Sequence, residues 1–497
     1  MNLRIVSKTL GILAILVGFT MGLCWLYAWV EWQMNEANES AHSTARALGI
    51  STAITIGSGV IMYLLGFGCP NEVLRREAIV IVGLSWVQAS FFGALPFVFC
   101  EPGLDFFGAF FESVSGFTTT GSSVMKNVEA FPGPILLWRS VTQWLGGIGI
   151  LVVFVAVLSF LGVGSRSLVQ QESSLNISAS GTSRIRDLAF SLLKVYLTLS
   201  LLCYLGLVFL GMGHFDAVCH TMATIATGGF STKNLSIAHY QSPSIEIWLT
   251  LFMFLSAIGF MFYIFLANRR WSRVRAEEEA RYYFYLIVGI SLIITANLIL
   301  VQGDGPGPDQ VTILRQVFFN VASISSTTGF GLTDYDQWPL FSRLLLMLLM
   351  LIGGCAGSTA GGLKMNRIIL YAKISLRELV RSFRPNQVFR IRLNGVASDE
   401  KVFVTTSFII ALGFAMAGLA VLVVSALEPS LDFLSVIGAV FGTLWNVGPG
   451  FEAVGPTDNF SALNSATLMV LSFLMILGRL EFFALLVLFV PSLWRKY

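Results

Sequence analysis

Ser113-Val-Ser-Gly-Phe-Thr-Thr-Thr-Gly121 closes a short apolar piece, residues 105–118, with hydroxyl residues and a glycine. The same arrangement recurs three times. After residues 215–226 it reads His220-Thr-Met-Ala-Thr-Ile-Ala-Thr-Gly228, after 311–326 Val321-Ala-Ser-Ile-Ser-Ser-Thr-Thr-Gly329, and after 431–445 Val440-Phe-Gly-Thr-Leu-Trp-Asn-Val-Gly448. The four glycines stand 107, 101 and 119 residues apart, which is the length of one repeated unit. A single Thr-Gly pair is ordinary turn chemistry. Four at a repeating distance, each behind a short apolar segment, specify an architecture.

Working outward, hydropathy predicts ten full spans near residues 9–30, 48–68, 77–99, 133–162, 187–211, 244–268, 282–302, 339–375, 402–426 and 463–493. Each short piece lies between two of them. At about 1.5 Å per residue it reaches only part of the way across a hydrocarbon core of ~30 Å, so it must enter and leave on one side. Re-entrant backbone is tolerated only where it is buried in protein or lines water. Two full spans per unit make successive units parallel around an axis along the membrane normal, unlike the inverted repeats of many coupled transporters. The predicted fold is an all-α polytopic membrane protein of four parallel repeats, each helix, pore helix, filter and helix, around a central pore. Two extra N-terminal transmembrane helices lie outside this scheme. The boundaries are an accessory hairpin over 1–70 and pore repeats over 71–166, 167–272, 273–385 and 386–497.

Composition excludes a soluble domain, since 55% of the 497 residues are hydrophobic and only 12% charged, against about 25% charged in soluble domains. A net charge of +3 without a basic stripe argues against nucleic acid as a partner. Twenty-three of the 31 Lys and Arg residues fall on one face of the span pattern, including Arg75, Arg76, the Arg269–Arg281 and Lys373–Lys401 clusters, Arg495 and Lys496. The positive-inside rule makes that face cytoplasmic. An even number of spans then places both termini there. Six scattered cysteines suggest neither a metal site nor a disulfide framework. Neither a Walker motif nor a dinucleotide fingerprint occurs, so no enzymatic activity and no organic cofactor is expected on this chain.

A dehydrated cation needs a cage of oxygens, and a ring of backbone carbonyls is its simplest uniform source. Aiming successive carbonyls inward requires unusual backbone angles, which glycine adopts without steric cost. The predicted ion-binding residues are therefore Thr119, Thr120 and Gly121; Ala226, Thr227 and Gly228; Thr327, Thr328 and Gly329; Asn446, Val447 and Gly448. Asp105 and Asp432, each sixteen residues before its glycine, and Asp216, twelve before, suit helix N-termini as caps, with charge that also concentrates cations.

Several stretches resemble the Trk, Ktr and HKT superfamily of potassium transport proteins, and within it the bacterial TrkH type. They are Glu112-Ser-Val-Ser-Gly-Phe-Thr-Thr-Thr-Gly121, Thr142-Gln-Trp-Leu-Gly-Gly-Ile-Gly149, Thr227-Gly-Gly-Phe-Ser-Thr232, Gly353-Gly-Cys-Ala-Gly-Ser-Thr-Ala-Gly-Gly-Leu-Lys364, Asn446-Val-Gly-Pro-Gly450 and Gly478-Arg-Leu-Glu481. The resemblance implies gated, potassium-selective uptake across a bacterial cytoplasmic membrane, with K+ as the transported and filter-bound ion. It also implies a homodimer with one pore per subunit and a cytosolic nucleotide-binding regulatory ring of TrkA type.

The glycine-rich stretch Gly353, Gly354, Cys355, Ala356, Gly357, Ser358, Thr359, Ala360, Gly361 and Gly362 interrupts an otherwise overlong helix. Its glycines favour unwinding inside the membrane, and the resemblance places a gating loop there; close helix packing through small residues is the alternative. Arg479 lies too deep in the last span to snorkel easily, which makes an intramembrane charge a functional candidate. The resemblance implies a fixed charge beside the pore that meets the gating loop. A buried pair with Glu112 or Glu481 is the other reading. Lys364 is a second candidate pore charge, or a residue already at the cytoplasmic surface. Basic linkers fit topology determinants or a docking surface equally. A potassium symporter coupled to protons or sodium is the competing function, opposed by the scarcity of titratable residues within the spans.

Overall fold

The structure, a computed structural model, describes residues 2–34, 39–69, 74–161, 181–302, 308–387, 390–397 and 400–494. The boundary expected at 166/167 and the terminal pair Arg495 and Lys496 lie outside these residues. Leu3–Met34 and Glu39–Leu65 form an N-terminal antiparallel hairpin. Small residues let its helices approach closely: a Cβ on Gly11 would lie 2.7 Å from Gly59 O.

Four times thereafter a long helix is followed by a short one, an irregular turn and a further helix. The long first helices are Arg75–Phe99, Gly181–Phe209, Glu278–Gln302 and Glu400–Leu427. The short ones are Phe106–Phe117, His214–Ile225, Gln310–Ser325 and Phe433–Leu444. Asp105, Asp309 and Asp432 are the N-cap residues of the first, third and fourth, and Asp216 lies in the first turn of the second. The Asp105 carboxylate accepts from Phe107 N and Gly108 N. Long apolar side chains such as Phe209, Leu300 and Leu422 cover the outside of the bundle, where lipid is the expected solvent.

The closing helices depart from the ten continuous spans expected. Only the first, Gly133–Leu161, runs unbroken. The second bends by 92° between Pro243–Ala257 and Phe260–Ala267. The third breaks over residues 353–364, between Leu340–Ile352 and Met365–Phe383, as the glycine pattern anticipates. The fourth stops at Arg479, with left-handed residues Glu481 and Phe482 before Phe483–Leu486. Six helices among the described residues are long and apolar enough to cross a membrane singly, or seven with the bent pair. The unforeseen breaks have a physical reason. Ala257 O and Phe260 N, freed by the bend, bond to Cys355 N and Gly357 O of the broken stretch, so protein rather than lipid satisfies them. A small departure from the all-α expectation is a two-stranded hairpin, Arg392–Leu393 with Val396–Ala397, beyond the Met365–Phe383 helix.

Candidate ion pathway and gate

Each short helix ends on the same backbone device. Two residues beyond its last turn, Thr119, Thr227, Thr327 and Asn446 take φ of 53°, 54°, 57° and 55°. The next residue's amide reaches back into the helix: Thr120 N to Ser115 O, Gly228 N to Ala223 O, Thr328 N to Ser323 O and Val447 N to Gly442 O. Then comes a glycine with positive φ, at Gly121 (90°), Gly229 (74°), Gly329 (81°) and Gly448 (105°).

This register corrects the sequence alignment in the second segment by one residue. Gly228 is not in the left-handed region; it occupies the place of Thr120, Thr328 and Val447, and Gly229 is the counterpart of the other three glycines. Thr227 and Gly228, rather than Ala226 and Thr227, therefore match the pairs Thr119–Thr120, Thr327–Thr328 and Asn446–Val447. Ala226 instead caps its helix, as Thr118, Ser326 and Trp445 do.

The four turns close on one another. A Cβ on Gly121 would strike Gly228 O, one on Gly229 would strike Thr328 O, one on Gly329 Val447 O, and one on Gly448 Thr120 O. Equivalent carbonyls thus face equivalent glycines around a complete circuit, and glycine is required for closeness as well as for φ. Side chains lock the circuit from behind. Asn446 Nδ2 donates to Thr120 Oγ1 at 2.9 Å and Ser122 Oγ to Gly448 O at 2.8 Å. Gln143 Nε2 donates to Gly228 O at 2.5 Å while its Oε1 accepts from Phe230 N, and Tyr335 OH donates to Gly450 O at 2.9 Å.

The broken stretch 353–364 lies against the C-terminal ends of the short helices. Thr359 Oγ1 donates to Ile225 O at the end of the second short helix, Gly361 N to Thr327 Oγ1 and Gly362 N to Trp445 O. The stretch is buried throughout most of its length. Ala356 N donates to Glu279 Oε2 at 2.9 Å, and Glu279 Oε1 accepts from Asn394 in the turn of the small hairpin. Lys373 pairs with Glu278 and donates to Arg392 O. A continuous set of polar contacts thus connects the buried stretch with the hairpin outside.

Arg479 is buried and donates from Nη1 to Thr359 O at 2.7 Å; its Nε and Nη2 have no hydrogen-bond partner among the described residues. Neither carboxylate considered for it is its recorded partner. Glu112 pairs with Arg139 at 2.6 Å, and Glu481 pairs with Arg367. Lys364 is not at the surface: it is buried, with Nζ donating to Ala360 O. Both basic residues therefore hold the broken stretch.

Asp336 follows the third segment, in the short helical turn Tyr335–Gln337. Burial pushes its carboxyl up to about 6 although Glu452 N donates to it. A folded-state value above the unfolded one means that the ionised form is the penalised form. Stability is therefore expected to rise as pH falls through 6 toward the unfolded value of about 3.9. Comparing thermal melting of wild type and Asp336→Asn at pH 7.5 and 5.5 checks this; the difference between the two pH values should shrink in the variant.

The TrkH family model, described as "Cation transport protein", matches residues 67–496. The chain is 36% identical over 501 residues to the Trk system potassium uptake protein TrkH of Salmonella typhimurium, with all of both chains covered. The chain belongs to the TrkH family. It is also 34% identical over 510 residues to TrkH of Halomonas elongata, again across both full lengths. The crystal structure of the potassium transporter TrkH from Vibrio parahaemolyticus superposes with a TM-score of 0.87 at 31% identity, covering all of both chains. This TrkH-family chain is accordingly an all-helical, multi-span membrane protein.

The roles of five residues escaped the sequence reading. Gly229 was detectable: aligning Phe230 with Phe330 sets Gly229 on Gly329. Asp309 precedes its short helix as Asp105 and Asp432 do, and was hidden by a longer helix. Arg139 gave no such signal and Gln143, although inside the stretch 142–149, suggested no role, since their contacts lie with residues 27 to 92 positions away. Glu279 stood in a charged linker and looked like a surface residue.

Proposed function

We propose that this chain carries potassium into the cell through a single gated pore on the axis of the four turns. It would sit as a multi-pass protein in the bacterial cytoplasmic membrane with both termini inside. The observation that supports this most directly is the closed circuit of equivalent carbonyls, Thr120, Gly228, Thr328 and Val447, facing equivalent glycines. Such a circuit offers an ion uniform oxygen ligands in place of its hydration shell. Threonine and asparagine at the preceding positive-φ position supply the second carbonyl of each pair. The C-terminal ends of the four short helices favour a cation nearby. The repeats divide the chain as 71–166, 167–272, 273–385 and 386–497, with 1–70 as an accessory hairpin.

Residues 353–362 form the gate in this reading, and Arg479 and Lys364 hold it shut. The relatives are Trk system potassium uptake proteins, which fits a homodimer governed by a cytosolic ring of TrkA type. Single-channel recording of the purified protein in lipid bilayers, with opposed potassium and sodium gradients at two pH values, tests the function. A reversal potential that follows potassium and ignores pH is expected. One that shifts with pH or with sodium gradient at constant potassium would replace permeation by coupled symport.

Arg479→Ala should raise potassium flux through the partner-free protein, by about tenfold if the lost bond and charge contribute ~1.4 kcal/mol to closure. Flux into liposomes checks this, normalised to folded protein. Unchanged flux with a lower melting temperature would make the residue purely structural.

A further inference from the structure

We propose that Glu112 and Arg139, buried behind the first two turns, form an ionic clamp that sets potassium-over-sodium selectivity. They act as positioning residues that do not touch the ion. The proposal rests on the permeation reading above.

Glu112, His220, Asn320 and Ala439 occupy one equivalent place, five residues before the end of each short helix. In three segments this position holds the strand that leaves the turn. Glu112 accepts from Val124 N at 2.9 Å and from Ser123 Oγ at 3.0 and 3.1 Å. His220 Nε2 bonds Ser231 Oγ at 2.9 Å, and Asn320 Nδ2 donates to Thr333 Oγ1 at 2.6 Å. Ala439 offers no polar group.

Only the first position carries a charge, and Arg139 answers it from the Gly133–Leu161 helix. Arg139 Nε donates to Glu112 Oε1 at 2.6 Å, with the two side chains 4% and 0% exposed. Its Nη1 donates to Ser231 O at 2.9 Å, and its guanidinium lies 3.5 Å from the centre of the Phe230 ring. Ser231 in turn bonds His220 on the second short helix. The exit strands of segments one and two are thus fastened to each other and to both short helices. One helical turn further on, the same face of Gly133–Leu161 presents Gln143 to Gly228 O and Phe230 N.

A planar guanidinium that spans a carboxylate through Nε and a backbone carbonyl through Nη1 fixes direction as well as distance. Cation selection by size depends on how far carbonyls can relax toward a smaller ion. A clamp that prevents Gly228 O and its neighbours from closing in therefore penalises sodium more than potassium. On the fourth exit segment Glu452 pairs with Arg343 of the third closing helix at 2.6 Å, but those side chains are 41% and 19% exposed and neither lies on a short helix. The fully buried pair of Glu112 and Arg139 makes the first two segments the stiffer part of the ring.

The test is the bi-ionic reversal potential of the full chain reconstituted in bilayers, which reads selectivity per conducting molecule and not the amount folded. Arg139→Lys keeps the charge and loses the fork; Glu112→Gln keeps the shape and loses the charge. Both are expected to lower the potassium-to-sodium permeability ratio by about tenfold. A wild-type ratio in folded Arg139→Lys overturns the clamp, and this variant decides the matter if Glu112→Gln does not fold. A wild-type protein without potassium selectivity would instead overturn the permeation reading.

Discussion

Gly229→Ala is expected to abolish potassium uptake, while Gly228→Ala leaves uptake that is reduced but measurable. At Gly229 the backbone sits at φ 74° and the added methyl would meet Thr328 O of the neighbouring segment, which is backbone and cannot yield without opening the ring. Left-handed φ alone costs an alanine about 1–2 kcal/mol, and the collision adds to it. A total of ~3 kcal/mol is about a hundredfold in the population able to conduct. At Gly228 the backbone is outside that region, and the equivalent residues Thr120, Thr328 and Val447 all carry side chains. The obstacle there is the amide end of Gln143, a side chain able to rotate away at the loss of its bonds to Gly228 O and Phe230 N. Uptake by potassium-dependent cells, scaled to the protein found in the membrane, compares the two. Equal loss at both positions, or greater loss at Gly228, would restore the sequence register and remove the circuit of carbonyls described here.

The recurrence of short helix, turn and glycine was legible because it is local. A short apolar helix, a hydroxyl-rich turn and a glycine follow one another in the chain, and each part obeys propensity rules that read within about fifteen residues. The register of segment two was not legible from the Thr-Gly pair alone, because two adjacent glycines satisfy the same pattern and only the carbonyl of another repeat distinguishes them. The bend after Ala257 has the same cause. Residues 244–268 read as one apolar span, and Gly259 marks no break until Ala356 O comes to lie 2.5 Å from where its Cβ would be. Arg139 shows the limit most plainly. It falls near the outer end of a span and counts with the outer loops, whereas Glu112, Ser231 and Phe230 draw it inside. Burial of a charge is a property of its partners, and those partners come from other repeats.

Deleting Ala356 to Ala360 is expected to give a protein that conducts potassium whether or not a cytosolic partner is present, with partner-free flux raised about tenfold or more. The deletion removes Gly357 O, which accepts from Phe260 N, and Ala356 N, which donates to Glu279. It also removes Thr359, whose hydroxyl meets Ile225 O and whose carbonyl holds Arg479. The flanking anchors remain, since Cys355 N donates to Ala257 O and Gly362 N to Trp445 O. Individual bonds of this sort are each worth about 1 kcal/mol net, so opening would require several to break together. The contacts suggest a route. Glu279 bonds Ala356 on one side and Asn394 of the hairpin on the other, while Lys373, on the helix that follows the broken stretch, is tied to the same hairpin through Arg392 O. Displacing the hairpin or that helix would withdraw Glu279 from Ala356 and loosen the loop where its glycines resist least, at Gly357 and Gly362, both already at positive φ. Potassium flux into liposomes is the measurement, with monodisperse protein in detergent as the check on folding. If the deletion variant folds and its flux stays low, the stretch is close packing rather than a gate. If it does not fold, Glu279→Gln puts the same question through one bond, and partner-free flux no higher than wild type would count against a gate.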